Sequence, residues 1–84
     1  MELLKLNVKE IRILKIINKK ACKGITFNEL LNKSKFNEIE LKNILKKLEN
    51  IHFIEYRKFS DGINDYDIER EGQIFLEKMQ EKKL

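Results

Sequence analysis

The chain has 84 residues, 42% hydrophobic and 38% charged, with no Pro, no Trp, one Cys and a formal net charge of +4. That length supports one domain and excludes two, and the composition suits a helix-rich globular protein rather than a disordered chain. There is no run of about eighteen apolar residues and no signal-peptide pattern, so the chain is expected to be cytoplasmic, without membrane contact.

Cys22 is the only cysteine and His52 the only histidine, which rules out an internal disulfide and a zinc site within the chain. Cys22 is read as a small buried thiol. No cofactor or metal is expected. Residues 1–60 carry 14 basic and 7 acidic side chains, net +7, and residues 61–84 carry 4 and 7, net −3. A basic excess on one part of a small protein favours a polyanionic partner through counterion release.

The first six residues, MELLKL, are too apolar for a free tail. They either dock on the protein's own last helix or make a dimer contact. Asn7 with Glu10 forms a capping box that opens a helix over about 8–21, with Val8, Ile11, Leu14, Ile17 and Ala21 at helical spacing. Ile13 and Ile16 widen the apolar arc, so this helix is either covered on several sides or offers an association surface. Gly24 suits a left-handed turn, and Ile25 is a brief strand.

Thr26 with Glu29 is a second box, opening a short helix over 27–33 with Leu30 and Leu31 inward. Ser34, Lys35 and Phe36 make a tight turn, with Phe36 as its plug. Asn37 with Glu40 is a third box. The helix it opens, from about 38 to 49, turns Leu41, Ile44, Leu45 and Leu48 to one side and Ile39, Lys42, Asn43 and Lys46 to the other. Two short helices joined by a tight turn are a helix-turn-helix, here residues 27–50.

The run HFIEYRKF, residues 52–59, interleaves aromatic and charged residues as a half-wet strand does. The segment 60–65 supplies turn residues, and Tyr66 to Ile68 return as the partner strand, giving a hairpin over 52–68 with Tyr56 facing Tyr66. Phe75, Leu76 and Met79 mark a closing helix over 70–84.

Leu41–Ile54, LKNILKKLENIHFI, resembles the recognition-helix-to-strand pattern of small archaeal and bacterial winged-helix transcriptional regulators, with Leu48, Phe53 and Ile54 matching and His52 where that family has glycine. Tyr66–Leu76, YDIEREGQIFL, is similar to the family's strand-into-last-helix signature through Tyr66, Ile68, Gly72 and Leu76, with Glu69 replacing a capping Thr. The resemblance covers nearly the whole chain. It implies an α+β, mainly helical class, a winged helix-turn-helix of order α-(short β)-α-α-β-β-α, filling residues 1–84 as a single domain.

The same resemblance implies double-stranded DNA as the partner and transcription regulation as the role, with helix 38–49 in the major groove of a homodimer. The residues expected at the DNA are Lys33 and Lys35 beside the turn, Ile39, Lys42, Asn43 and Lys46 on the outward face, and Arg57 and Lys58 at the hairpin base. Lys42 and Lys46 suit phosphates or a guanine edge, Asn43 an adenine, and Ile39 a thymine methyl or the preceding helix. The hairpin tip has Asp61, Ile63 and Asp65 where the family often has Arg or Lys, which argues against minor-groove insertion. Two alternatives stay open: a protein-docking module and a non-specific, nucleoid-associated packaging protein. Nothing in the sequence supplies a paired nucleophile and base, clustered carboxylates or a phosphate loop, so no enzyme is expected.

Overall fold

Helix α1 spans Val8–Lys19 and starts on a complete capping box: the Asn7 side chain accepts from the Glu10 amide at 2.8 Å, and the Glu10 carboxylate accepts from the Asn7 amide at 2.9 Å. The computed structural model describes residues 5–81. Leu3, Leu4 and the expected end of the last helix lie outside that range. The remaining elements are α2 (Phe27–Ser34), α3 (Glu38–Asn50), β1 (Ile54–Lys58), β2 (Asn64–Ile68) and α4 (Arg70–Glu81).

Two apolar stripes compete on α1, and the structure buries the one formed by Ile13, Leu14 and Ile17. Val8, expected inside, is 82% exposed, and Ile13, expected toward an association surface, is fully buried. Glu10 completes the buried stripe at i, i+3, i+4 and i+7. Its carboxylate is tolerated there because it holds the Asn7 amide and pairs with Lys47 of α3 at 3.0 Å. Leu76 of the closing helix is core, while Ile16, expected toward an association surface, and Phe75 pack partly buried against it.

Ile25 and Leu30 join α1 to the core stripe of α3, where Leu41, Ile44, Leu45 and Leu48 are all buried as expected, whereas Leu31, also expected inward, is only partly buried. The α2–α3 turn passes through Lys35, whose amide still donates back to Leu31 at 3.0 Å and whose left-handed φ of 62° then ends α2. Phe36 plugs the turn half-buried, under the cationic groups of Lys9 and Arg12 at 5.7 and 5.5 Å from its ring centroid.

The box at α3 is only half made. Asn37 accepts from the Glu40 amide at 2.7 Å, but the Glu40 carboxylate turns away to Lys9 of α1. At the other end His52 adopts φ 63°, its amide donates to Glu49 and the Phe53 amide donates to Leu48, both at 3.0 Å. This is a Schellman closure with a residue other than glycine in the left-handed place.

The strands pair antiparallel with Tyr56 opposite Tyr66, ring centroids 4.9 Å apart. Ile25 is a single bridge residue whose amide and carbonyl bond both backbone groups of Tyr66, at 2.9 and 2.8 Å. Arg57 lies against both Asp65, at 2.8 Å, and Asp67, at 3.2 Å. Gly24, at φ 85°, passes directly beneath the Arg57–Asp65 pair, where any Cβ collides with both side chains. The hairpin base is thereby tied to the α1–α2 connection.

Cys22 is exposed, not buried, with φ 72°, and its amide donates to the Asp67 carboxylate at 3.0 Å. Here the residue contributes through its backbone, which ties the end of the α1 turn to Asp67 of β2. Glycine meets the same requirement without left-handed strain, which costs other residues roughly 1–2 kcal/mol. Cys22→Gly is expected to raise the unfolding midpoint by a few degrees in a thermal melt and to leave nucleic-acid binding unchanged.

Candidate nucleic-acid interface

The outward face of α3 is what the fold leaves unused once the core stripe is satisfied. Ile39 is 74% exposed, and Lys42, Asn43 and Lys46 are exposed on the same side. Among the described residues Asn43 makes no side-chain hydrogen bond and Lys46 no ion pair. Lys42 pairs with Glu38 one turn earlier at 3.2 Å and lies 6.0 Å from the Phe27 ring centroid. An exposed pair of this kind is worth roughly 0–1 kcal/mol, so Lys42 is released to a stronger anion at little cost. Lys47 differs, because Glu10 holds it as a link between α3 and α1.

Beside this face runs a cleft of about 470 Å³ between the start of α2, α3 and the hairpin, lined by Thr26, Phe27, Asn28, Lys42, Tyr56 and Ile63 with Asn64 and Tyr66. Burial, then the field of Glu49 and Tyr56, raises the Tyr66 phenol above its ordinary range, so it remains a protonated donor. Ile63 at the hairpin tip is 58% exposed. Thr26, Asn28, Tyr56 and Ile63 were not among the residues expected at a ligand. Only the tight packing of the hairpin base against Gly24 and Ile25 brings strand and α2 together.

The structure gathers Ile39, Lys42, Asn43 and Lys46 as one surface and leaves Lys35 and Lys58 exposed near its margins on the turn and at the end of β1. Arg57 is partly buried, its guanidinium held by two carboxylates. Hydrogen bonding to Asp65 raises its pKa further, so it is a fixed cation of the hairpin base. Lys33 faces α1, lining a separate cleft with Arg12, Lys15 and Lys19.

No protein-family model and no curated protein matches this chain. Among solved structures, the S. aureus MepR–DNA complex superposes with a TM-score of 0.78 at 14% identity, covering 93% of this chain and 68% of that one. The fold is a winged helix. S. aureus MepR bound to ethidium bromide matches this winged helix with a TM-score of 0.73 at 13% identity, over 98% of this chain and 65% of that one. A MepR mutant gives 0.73 at 13%, over 92% and 63%. The chain thus spans about two thirds of the length of these structures. Among the described residues four helices and one antiparallel hairpin follow in the order α-α-α-β-β-α, as in that fold. Among the described residues no helix is long and apolar enough to cross a membrane.

Proposed function

We propose that this winged helix binds duplex DNA in transcription regulation, placing α3 in the major groove. The observation that carries the reading is the outward face of α3: Ile39, Lys42, Asn43 and Lys46 stand clear of the core on the second helix of a tight helix-turn-helix. A face of this kind supplies phosphate contacts from its lysines, a bidentate partner for adenine in Asn43 and an apolar contact for a thymine methyl in Ile39. The MepR structure with the higher TM-score is itself a DNA complex, which supports the same role for a chain sharing its fold. Lys35 and Lys58 are assigned to flanking phosphates.

The wing is assigned a positioning role rather than minor-groove insertion. Its base cation Arg57 is neutralised by Asp65 and Asp67, and its tip offers Asp61 and Ile63.

The deciding experiment is selection from a random duplex pool, followed by a salt titration of the winning site. Enrichment of a near-palindrome with a steep salt slope supports a dimeric regulator, and tight binding without enrichment supports packaging. Absence of binding by folded protein at low salt removes both. The docking alternative has its own supporting observation, the exposed Ile39, Phe59 and Ile63, because exposed apolar side chains are also what a protein partner takes up.

A single helix reads about half a turn of duplex, so the regulator is proposed to act as a homodimer. With Ile13 and Leu76 consumed by the core, contact is assigned to Val8, Ile11 and Met79, which line a cleft between α1 and α4 with Arg12 and Lys15. Sedimentation at high micromolar concentration is expected to give a dimer, and Val8→Glu a monomer. A clean wild-type monomer under those conditions removes this assignment.

A further inference from the structure

The densest run of unpaired positive charge is on α1, not on α3. Arg12, Lys15 and Lys19 lie along one stripe of α1 at i, i+3 and i+7, and with Lys20 and Lys33 they line a cleft of about 430 Å³ floored by Ile16. Among the described residues no carboxylate lines it, and none of the five cations makes an ion pair. On the α3 face, by contrast, Lys42 is matched by Glu38, and Glu40 lies on the same helix.

At about 100° per residue the α1 stripe sits on the side away from Ile13, Leu14 and Ile17, as the outward face of α3 sits away from Leu41 and Leu45. Both helices turn their core faces to one interior, so these two surfaces look to different sides of the protein. The α1 cleft begins near the helix-turn-helix, where Arg12 lies over Phe36, and runs along α1 to Lys19 and Lys20.

We propose that the α1–α2 cleft is a second, sequence-independent site for the phosphate backbone of duplex DNA, so that one molecule joins two duplex segments. The proposal rests on DNA being the ligand of α3. Arg12 and Lys19 are separated by about 10 Å along the helix at roughly 1.5 Å per residue, matching a charge that repeats regularly along a duplex rather than one compact anion. The lining has no Asn or Gln to select adenine and no carboxylate to select cytosine, and only one apolar residue, Ile16, where a protein partner needs an apolar centre.

The test is co-capture with the full chain: one duplex tethered to beads, a second, labelled duplex of unrelated sequence in solution. Wild type is expected to retain the labelled duplex. Lys19→Glu/Lys20→Glu, two changes at the end of α1 that lie outside the α1–α4 cleft, is expected to bind the tethered duplex undiminished and lose most of the co-capture. Asn43→Ala/Lys46→Glu is expected to keep a salt-sensitive, sequence-independent affinity that the two α1 changes abolish. If wild type binds the tethered duplex but recruits no second one, the cleft proposal falls and the α3 reading stands. If the α1 variant still co-captures, bridging comes from paired α3 helices and the cleft proposal falls. If the α1 variant weakens binding to the single duplex as strongly as co-capture, the cleft is an extension of one interface and the proposal falls. If the α3 variant binds as wild type does with the same sequence preference, the α3 reading fails instead. Retention of an acidic protein but no second duplex also overturns the proposal.

Discussion

Gly72→Ala is expected to lower stability by about 1–3 kcal/mol, the range for forcing atoms into a packed site, and more if the backbone cannot shift. A Cβ at Gly72 stands 2.5 Å from the Phe53 carbonyl oxygen and 3.1 Å from Ile68. The carbonyl cannot swing aside, because it accepts the Glu69 amide at 2.8 Å and Phe53 closes α3. One substitution in the first turn of α4 therefore disturbs the end of α3, the start of β1 and the Phe53–Phe75 contact at 5.1 Å. For a domain this size each kcal/mol moves the melting midpoint by roughly 4–8 °C. A thermal melt that shows no change overturns the close-approach account. Gly62→Ala is the control, since nothing lies within 4 Å of its Cβ position, although its φ of 87° adds local strain.

Charge reversal on α3 is the second large effect. Lys46→Glu is expected to weaken binding to every duplex and to flatten the salt slope, because one phosphate contact is lost and a repulsion gained. Asn43→Ala is expected to cost about 1–3 kcal/mol on the preferred site only, because a lost bidentate base contact matters where the adenine is present. Titrations on selected and scrambled duplexes separate the two. Equal loss from Asn43→Ala on both makes Asn43 a backbone contact, and no loss from either change means α3 does not read the DNA. Both side chains are exposed, and neither has an internal partner among the described residues, so the folded state is expected to tolerate the changes.

Much of the helical skeleton was legible because its signals are local. The Asn7, Thr26 and Asn37 caps each act within three residues, and all three open helices. The α3 stripe of Leu41, Ile44, Leu45 and Leu48 has no competitor, so one assignment was possible and its outward face followed. The left-handed His52 was legible only through the resemblance, which has glycine at that place. Helix α1 was not legible to the same degree, since either stripe satisfies the helical period.

What the sequence by itself determined is therefore the order of elements, the three caps and the face that α3 presents, all set by interactions within a turn or two of chain. Only the tertiary structure decided which side of α1 is core, because that depends on Lys47, thirty-seven residues from Glu10, arriving to hold its carboxylate. Packing likewise settled the disposition of the cations. It set Arg57 between Asp65 and Asp67, carried Lys33 to the α1 cleft, and left Lys46 free on α3. A lysine reads the same in a sequence whether or not a carboxylate waits for it, and the position of that carboxylate is a property of the folded chain.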